Sequence, residues 1–420
     1  MTVPDGMGGT LLFSEDVIYI PPPPTVRLYR ANPSFTVNRT SLQQWLNRLG
    51  LGTGWLGREG EHAWAAVTEA GHFLRVDGNG LTYLRLWGAR PPQPPPDLAT
   101  TIVRSLMRAV PPGEQGIALQ QTAFSPALLR YAAYPLLHGL PVLATEPWAE
   151  AEVTATGILR YARFTPLELS LVEEQNARPF ETVISGLNEE RILPRAVLQR
   201  PFQENHTLLA ERTFPVRWER GATIRLFGRL LVLQAGEENT SVRAWLVSPT
   251  GTFVLQPPPP DVIAWAKKGT VMITGRLKEG DQVARWGIIE VTHVGTPPPY
   301  MTYRGTLRVG TVVRVEAPEG SFLLPDAPQT LPDGISVLVE GYGRGVGFQW
   351  TRLYTAPPTS TKPRGTDFTR QVIRVEPVYW LEWRPANTPE APLEGYLYPA
   401  WRVVTTDVTS EIDFIYSMFE

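Results

Sequence analysis

Two short runs of β-branched residues, each framed by glycines, constrain what this chain can fold into. The first run is "KGTVMITGRL" at 268–277, and the second is "GISVLVEGYG" at 334–343. Gly269 and Gly275 frame the first run, and Gly334 and Gly341 frame the second. A β-branched run between turn-forming residues predicts a strand. Because the pattern occurs twice, the sequence predicts two related β modules.

The first module covers residues 214–296 and contains five predicted strands. They are "ATIRLFGRLLVLQ", "TSVRAWLV", "TFVLQ", "TVMITGRL" and "ARWGIIEVTHV", and the turn "SPTG" joins the second strand to the third. Between the third and fourth strands, "PPPPDVIAWAKKG" predicts a short helix, with Asp261 as its N-cap and Gly269 just past its end.

The second module covers residues 300–369 and repeats this order in compressed form. "YMTYRGTLRVG" corresponds to the first strand, with Gly305 in the place of Gly228, and "APEG" corresponds to the turn "SPTG". A short connection replaces the helix, and "ISVLVEG" is the fourth strand. The fifth strand stays open: the run over 372–382 either completes this module or belongs to another sheet.

Five strands with a helix between the third and fourth resemble the oligonucleotide/oligosaccharide-binding (OB) barrel. A glycine in the first strand allows the sharp coiling that closes such a small barrel. The resemblance implies two OB-like barrels and a binding face on strands 2 and 3. Five residues of the first barrel are the candidate binding face: Arg225, Phe227, Arg229, Arg243 and Trp245. The alternative, which we favour, is that Trp245 is buried against a neighbouring domain or loop.

The rest of the chain predicts an antiparallel α+β fold, and with the two barrels the whole chain is expected to be β-rich. Helices are expected over 38–50, 96–110, 125–140 and 178–190, the first capped by Asn38 or Thr40 and stopped by Gly50. Antiparallel strands are expected between the helices. The last fifty residues predict strands that are too few for a domain and therefore need a partner sheet.

"LYRANPSFT", "LNRLGL", "LRVDGNG" and "FETVISGLNE" follow one another in the N-terminal half, and "YLYPAWRVV" and "IDFIYSMF" close the chain. This order resembles the PepSY-like, YycI/YycH-type extracytoplasmic domains. The resemblance implies a discontinuous antiparallel α+β domain over 25–205 and 370–420, preceded by an extended proline-rich segment over 1–24. The two barrels, at 214–296 and 300–369, would be insertions. Residues near 200 and 370 should then lie close together, and strands within 394–420 should pair with N-terminal strands.

Composition limits the classes of function. The net charge of −2 gives the whole molecule no strong attraction to nucleic acid. The absence of cysteine excludes disulfides and thiolate-ligated metals. Basic residues comprise 35 Arg and 4 Lys, which is typical of a high-GC or thermophilic source. The start of the chain does not read as a signal peptide. We expect an extracytoplasmic or cell-surface location, with the cytoplasm as the alternative, and membrane attachment only through a segment absent from this chain.

Catalytic motifs are missing from the sequence. The five histidines show no metal-ligand spacing, and "GYGRGVG" at 341–347 is followed by an extended run rather than by the helix that a phosphate loop needs. We therefore expect no enzyme, no metal and no cofactor. The expected function is a binding or scaffold protein with a protein partner. The alternatives are single-stranded nucleic-acid or glycan binding through the barrels, and an enzyme with a dispersed site.

Overall fold

The computed structural model describes residues 1–88, 103–104, 107–108, 110–124, 128–145, 148–154, 159–189, 191–201, 208–212, 218–235, 241–356, 369–384, 394–406 and 410–418. The chain is mostly β, with 59% strand and 10% helix, so the α+β expectation gave helices too large a share. Most of the helix predicted over 96–110 lies outside the described residues; 103–104 and 107–108 are helical.

The described strands before the barrel are β1 Thr2–Pro4, β2 Thr10–Tyr19, β3 Thr25–Pro33, β4 Gly54–Arg58, β5 Trp64–Thr68, β6 His72–Asp77, β7 Gly80–Arg85, β8 Ile117–Phe124, β9 Leu128–Leu137, β10 Leu140–Leu143, β11 Ala149–Thr154, β12 Leu159–Phe164, β13 Leu167–Asn176, β14 Ala196–Pro201 and β15 Leu208–Glu211. Those that follow are β16 Thr223–Ala235, β17 Ser241–Val247, β18 Thr252–Leu255, β19 Thr270–Asp281, β20 Trp286–Gly295, β21 Tyr300–Arg308, β22 Arg314–Ala317, β23 Gly320–Leu323, β24 Ser336–Tyr342, β25 Gln349–Thr355, β26 Thr369–Arg384, β27 Glu394–Thr406 and β28 Ser410–Ser417. The helices are α1 Arg39–Arg48, α2 Phe180–Asn188 and α3 Val262–Lys267.

Two layers form the body of the protein, one antiparallel and one mixed, since β2 and β10 run parallel to β26. One layer is a meander in the order β4–β5–β6–β7–β12–β11–β9–β8. The other is built around β26 and β27, with β2 and β10 on the outer side of β26 and with β3 and β28 on the outer side of β27. Strand β10 follows β9 in a hairpin and pairs with β26, and this connects the two layers.

The largest apolar core lies between these layers. It contains Leu74 and Phe164 from the meander, Tyr379 and Leu397 from the β26–β27 layer, and Leu42 from α1. Helix α1 begins after Asn38, whose side chain accepts a hydrogen bond from the Ser41 amide, as predicted for the N-cap. The helix ends before Gly50, which has a left-handed φ of 63°.

The strands of the last fifty residues pair with the N-terminal part of the chain, which confirms the prediction that they need a partner sheet. Strand β27 pairs with β3, and β28 pairs with β14. Strand β14 is separated from β26 by β28 and β27, so the chain leaves this layer after Pro201 and re-enters it at Thr369. Residues 1–24 are also part of the layer, because β2 runs parallel to β26 and β1 pairs with β2.

Five strands between residues 223 and 295 form a closed barrel. The hydrogen-bonded order is β16–β17–β18–β20–β19, and β19 pairs again with β16. The pair β18–β20 is parallel, and all other pairs in the barrel are antiparallel. Helix α3 lies between β18 and β19, as predicted. Asp261 is not a conventional N-cap, because its φ is 56° and its side chain makes no capping hydrogen bond.

The second module does not close among the described residues. It is an open six-stranded antiparallel sheet in the order β15–β25–β24–β21–β22–β23. Its fifth strand is β25, whereas the run over 372–382 belongs to β26 in the body, which is the second of the two alternatives for that run. To close the module as the barrel is closed, a strand parallel to β23 would have to begin beside it. A 3-10 turn at Gly345–Gly347 stands at that place instead. Strand β15 covers the other edge of β25, from outside the predicted 300–369 range.

The two modules nevertheless share one pairing register. In the barrel, Gly275 pairs with Ile224, four residues before Gly228. In the second sheet, Gly341 pairs with Met301, four residues before Gly305. In both modules the fifth strand has a bulge opposite the residue pair that ends in this glycine, Thr274–Gly275 in the barrel and Glu340–Gly341 in the second sheet. The bulged residues are both threonines: Oγ1 of Thr292 donates to the Thr274 carbonyl, and Oγ1 of Thr351 donates to the Glu340 carbonyl.

The shared glycines stand where a neighbouring backbone comes too close for a side chain. A Cβ atom on Gly228 would lie 2.4 Å from the Val247 carbonyl oxygen, and one on Gly305 would lie 2.3 Å from that of Glu316. Strand packing therefore requires a glycine at this place in the first strand of each module.

One predicted helix was wrong. Within the helix predicted over 125–140, the described residues Leu128–Leu137 form β9, and β9 pairs with both β8 and β11. Its residues are apolar on both faces, and such a run does not distinguish a buried helix from a central strand. The turn that follows has a positive φ at His138 (52°) and Gly139 (81°), a combination that favours a tight hairpin. Helix α2 agrees with the prediction over 178–190.

Candidate functional site

The five residues of the predicted binding face all lie on the outside of the barrel, but two different parts of the chain cover it. At one end, the Phe227 ring stacks on Tyr342 of the second sheet, with centroids 4.7 Å apart. Phe227 is only 8% exposed, so its ring is already occupied. Arg225 is exposed. Burial raises the pKa of Glu59 in the body, and the nearby Arg229 guanidinium opposes part of that rise.

At the other end, Arg243 and Trp245 face the meander. The Trp245 ring packs edge-on against Trp55 of β4, with centroids 6.1 Å apart, and Trp245 is 4% exposed. The Arg243 guanidinium lies over the Trp55 ring, 5.3 Å from its centroid. The prediction that Trp245 is buried against another part of the chain is confirmed. The structure thus separates Arg243 and Trp245 from Phe227.

A groove of about 840 Å³ opens at this junction between the barrel and the meander. Four tryptophans line it, and we call it the four-tryptophan groove: Trp55, Trp87, Trp245 and Trp286. Trp55 and Trp87 come from the meander, and Trp245 and Trp286 come from the barrel. Trp87 and Trp286 face each other with centroids 6.4 Å apart. Trp245 is buried, whereas the other three side chains are partly exposed and available to a ligand.

Backbone contacts fix the two walls of the groove relative to each other. The Thr252 hydroxyl donates a buried hydrogen bond of 2.8 Å to the Leu86 carbonyl, directly before Trp87. The Gly88 amide donates to the Ala284 carbonyl at 3.2 Å. Both contacts join the meander to the barrel on either side of Trp87, so the spacing of the indoles is set before any ligand arrives.

Gly71 places Trp87 at the groove. It has a φ of 83°, and a Cβ atom there would lie 2.4 Å from the Trp87 carbonyl oxygen and 2.8 Å from the Trp87 ring. Its amide closes the β5–β6 turn on the Thr68 carbonyl, and its carbonyl accepts from Leu86. Glycine therefore permits both the turn and the close approach of the indole.

The groove is acidic. Among the residues that line it are three carboxylates (Glu69, Glu279 and Asp281) and one guanidinium (Arg243). Glu69 stands on the meander side, and the other two carboxylates stand at the end of β19, just before the turn to β20. Oδ1 of Asp281 accepts hydrogen bonds from the amides of Val283 and Ala284, at 2.8 and 2.9 Å, which orders this turn.

A second cavity, of about 900 Å³, lies in the body and has a different character. Trp148, Trp380 and Trp383 are in its wall. The Arg195 guanidinium in the same wall binds Glu382 at 2.9 Å and lies 3.9 Å over the Tyr398 ring. Two arginines, the other being Arg163, balance the two acids Glu150 and Glu382 that line this cavity. The described lining of this cavity thus carries balanced charge, unlike that of the four-tryptophan groove.

The described residues contain no group of three or more acidic or histidine side chains placed to hold a metal ion. His72 is half-buried beside Arg85, 2.7 Å from Nε2 to the guanidinium, and contacts the Tyr83 hydroxyl at 2.9 Å. Its pKa is lowered to about 4 by burial and by Arg85. In the parts of the chain that the structure describes, none of the helices has the length and apolar character of a membrane span.

No protein-family model matches this chain, and no curated protein matches it. The structure shows a β-rich protein with a small five-stranded barrel, and no family is identified for it.

Sequence reasoning found Arg243 and Trp245 but missed most of the groove. Trp55, Trp87 and Trp286 lie in separate strands and turns, as do Glu69, Glu279 and Asp281. The only sequence signal for the groove is the high tryptophan content, 13 in the whole chain. Pairing the meander with the barrel is what brings them together, and that long-range contact leaves no local pattern.

Proposed function

We propose that this chain is a non-enzymatic binding protein that holds a saccharide chain in the four-tryptophan groove, and that its closed barrel is of the OB type. The observation that carries the proposal is the position of the groove. It lies against β17 and β18 and against the β19–β20 turn, which correspond to strands 2 and 3 and the 4–5 loop of an OB barrel. OB barrels bind oligonucleotides and oligosaccharides at this place.

The charge of the groove favours a saccharide over a nucleic acid. Three carboxylates and one guanidinium line it, so a strand of phosphates would be repelled rather than held. Sugars offer apolar C–H faces that pack on indole rings and hydroxyl groups that hydrogen-bond to carboxylates. A mostly aromatic groove with a few polar groups that fix orientation is the usual form of a small-ligand site.

The proposal includes the domain arrangement that the sequence predicts. The body, over 25–205 and 370–420, is taken as one PepSY-like extracytoplasmic domain interrupted by the barrel and by the second sheet. The exit of the chain after β14 and its return at β26 support this division. The saccharide would then be met outside the cytoplasm. A protein partner for the body stays a prediction.

Binding is tested by tryptophan fluorescence and calorimetry on the full chain with a fixed set of probes: hexamers of glucose in β-1,4 and α-1,4 linkage, a hexamer of N-acetylglucosamine, a hexamer of glucosamine and oligo(dT). We expect at least one saccharide to bind and to shift the emission of the groove indoles. Trp286→Ala should weaken that binding about tenfold, which is about 1.4 kcal/mol.

Trp265→Ala is the matched control, because Trp265 is a partly exposed tryptophan on α3 and does not line the groove. It should leave saccharide binding unchanged. Binding of oligo(dT) that weakens steeply with salt and is lost in Trp286→Ala would replace the saccharide with single-stranded nucleic acid. Failure of all five probes to bind would contradict the proposal.

A further inference from the structure

The carboxylates of the four-tryptophan groove have no cationic partner among the described residues. Many other acids of the chain form ion pairs, but Glu69, Glu279 and Asp281 do not. The one cation in the wall, Arg243, has its guanidinium over Trp55 instead. Unneutralised charge of one sign between two fixed walls creates a local potential that attracts the opposite charge.

The carboxylates stand on both sides of the groove. Glu69 is on the β5–β6 turn of the meander, and Glu279 and Asp281 are at the end of β19 in the barrel. A cationic group in the groove would have acids on both walls and indole faces beside it. All three carboxylates are exposed, and tryptophan is the best aromatic partner for a cation.

From this arrangement we infer that the groove selects an amino sugar, a saccharide whose ring carries a protonated amine. The inference rests on the function proposed above and narrows its ligand class. The sugar ring packs on Trp87 or Trp286, and the ammonium group lies between the carboxylates. An N-acetylated sugar has the same ring and linkage but no charge, so it gives up the electrostatic part of the binding energy.

The two hexamers of glucosamine and N-acetylglucosamine provide the test, because they differ only in acetylation. Calorimetry on the full chain at about pH 6, where the free amine is protonated, measures both dissociation constants. We expect the glucosamine hexamer to bind about tenfold more tightly and its affinity to fall with added salt. The acetylated hexamer should bind with little salt dependence.

Carboxylate variants test the same step without removing the indoles. Glu279→Gln and Glu69→Gln should each weaken binding of the glucosamine hexamer by about threefold or more and leave the acetylated hexamer unchanged. Glu319→Gln is the matched control, since Glu319 is an acid in the β22–β23 turn of the second sheet. Unchanged melting temperatures in all three variants show that the fold is intact.

The outcomes separate the two proposals. Equal affinity for both hexamers, unaffected by Glu279→Gln, overturns the amino-sugar inference and leaves saccharide binding standing. Absence of binding by any saccharide overturns both. Tighter binding of oligolysine than of the glucosamine hexamer, with the same sensitivity to Glu279→Gln, overturns the inference in favour of a cationic peptide.

Discussion

Phe227 and Tyr342 stack with their ring centroids 4.7 Å apart and their planes 26° from parallel. Phe227 belongs to the barrel and Tyr342 to the second sheet, so this contact joins two modules that are also linked by the short segment "TPPP" at 296–299. Tyr300 packs edge-on against Tyr342, with centroids 5.0 Å apart, just after that segment. The three rings form an aromatic junction between the modules.

Phe227→Ala should therefore destabilise the chain. Removing a buried phenyl group costs about 3–5 kcal/mol in a closed core, and we expect the lower end here because the junction lies between modules and can partly collapse. Phe227→Leu is the control that keeps most of the apolar volume and should recover most of the loss. Urea unfolding followed by circular dichroism measures both. An unchanged unfolding midpoint in Phe227→Ala would show that the ring does not hold the modules together.

The shared glycines make the second prediction. Gly305→Ala places a Cβ atom 2.3 Å from the Glu316 carbonyl oxygen, and the backbone of β22 must shift to relieve the overlap. Overpacking of this kind costs about 1–3 kcal/mol. Gly310→Ala is the matched control in the same module, because a Cβ atom on Gly310 would have no neighbour within 4 Å. Thermal unfolding of the two variants should differ clearly, and equal melting temperatures would contradict the shared strand packing.

Much of the barrel could be predicted from the sequence around the two glycine-framed runs, because its strands and turns depend on residues close together in the chain. Strand alternation, the "SPTG" turn and helix α3 all follow from residues that are near one another in sequence. The closure of the barrel was also foreseeable from five strands of this length. The open second sheet was not, because a 3-10 turn at Gly345–Gly347 precedes its fifth strand, and that strand pairs with the distant β15 and not with β23.

The site was harder to predict than the fold. Trp245 was recognised from its place on the second strand. The sequence predicted that a neighbouring domain or loop would bury it, but did not identify Trp55 as the residue in contact. Glu69 and Glu279, more than two hundred residues apart, read as ordinary solvated acids in the sequence. They line the same groove because the barrel packs against the meander. Contacts such as the hydrogen bond from Thr252 to the Leu86 carbonyl hold that packing.

The lowered pKa of His72 predicts a dependence of stability on pH. Burial and Arg85 bring its pKa from 6.5 in the unfolded chain to about 4 in the folded protein. Its contribution to stability is complete above pH 6.5 and is lost as the pH falls from 6.5 to about 4, because the unfolded chain takes up the proton first. His72→Gln should lose less stability than the parent chain over this range.

Unfolding free energies measured in urea at several pH values between about 7 and 4.5 test this. His62→Gln is the control, since the His62 side chain is 94% exposed, and it should follow the parent chain throughout. Parallel curves for the parent and His72→Gln would mean that His72 does not contribute to the acid sensitivity.

Removal of β27 and β28 gives a prediction about the body. A chain that ends at residue 390 lacks both strands. Strand β26 then loses β27 from Gln371 to Arg384, β14 loses β28, and β3 keeps only β13. Exposed strand edges of this length favour unfolding and association. We expect a lower melting temperature and soluble aggregates in size-exclusion chromatography. A monomeric truncated chain with the parent melting temperature would contradict the pairing of these strands with the N-terminal part.

The last prediction concerns a buried ion pair network in the same strands. Arg402 donates to Glu376 at 2.6 Å and lies 3.0 Å from Asp413, and the Asp413 side chain is fully buried. Arg402→Met removes the guanidinium that Glu376 and the buried Asp413 share, which should cost about 3–5 kcal/mol. Arg374→Gln, whose parent side chain is 47% exposed and 3.7 Å from Glu376, should cost less than about 1 kcal/mol.

Two further measurements separate charge from packing at Arg402. Acidification should reduce the deficit of Arg402→Met relative to the parent chain, because protonation removes the charge left on the carboxylates. The triple variant Arg402→Met, Asp413→Leu, Glu376→Met should be much more stable than Arg402→Met alone, since apolar groups can replace a buried ion network at little cost. A deficit that is the same at every pH and persists in the triple variant would show that Arg402 acts through the packing of its methylene groups instead.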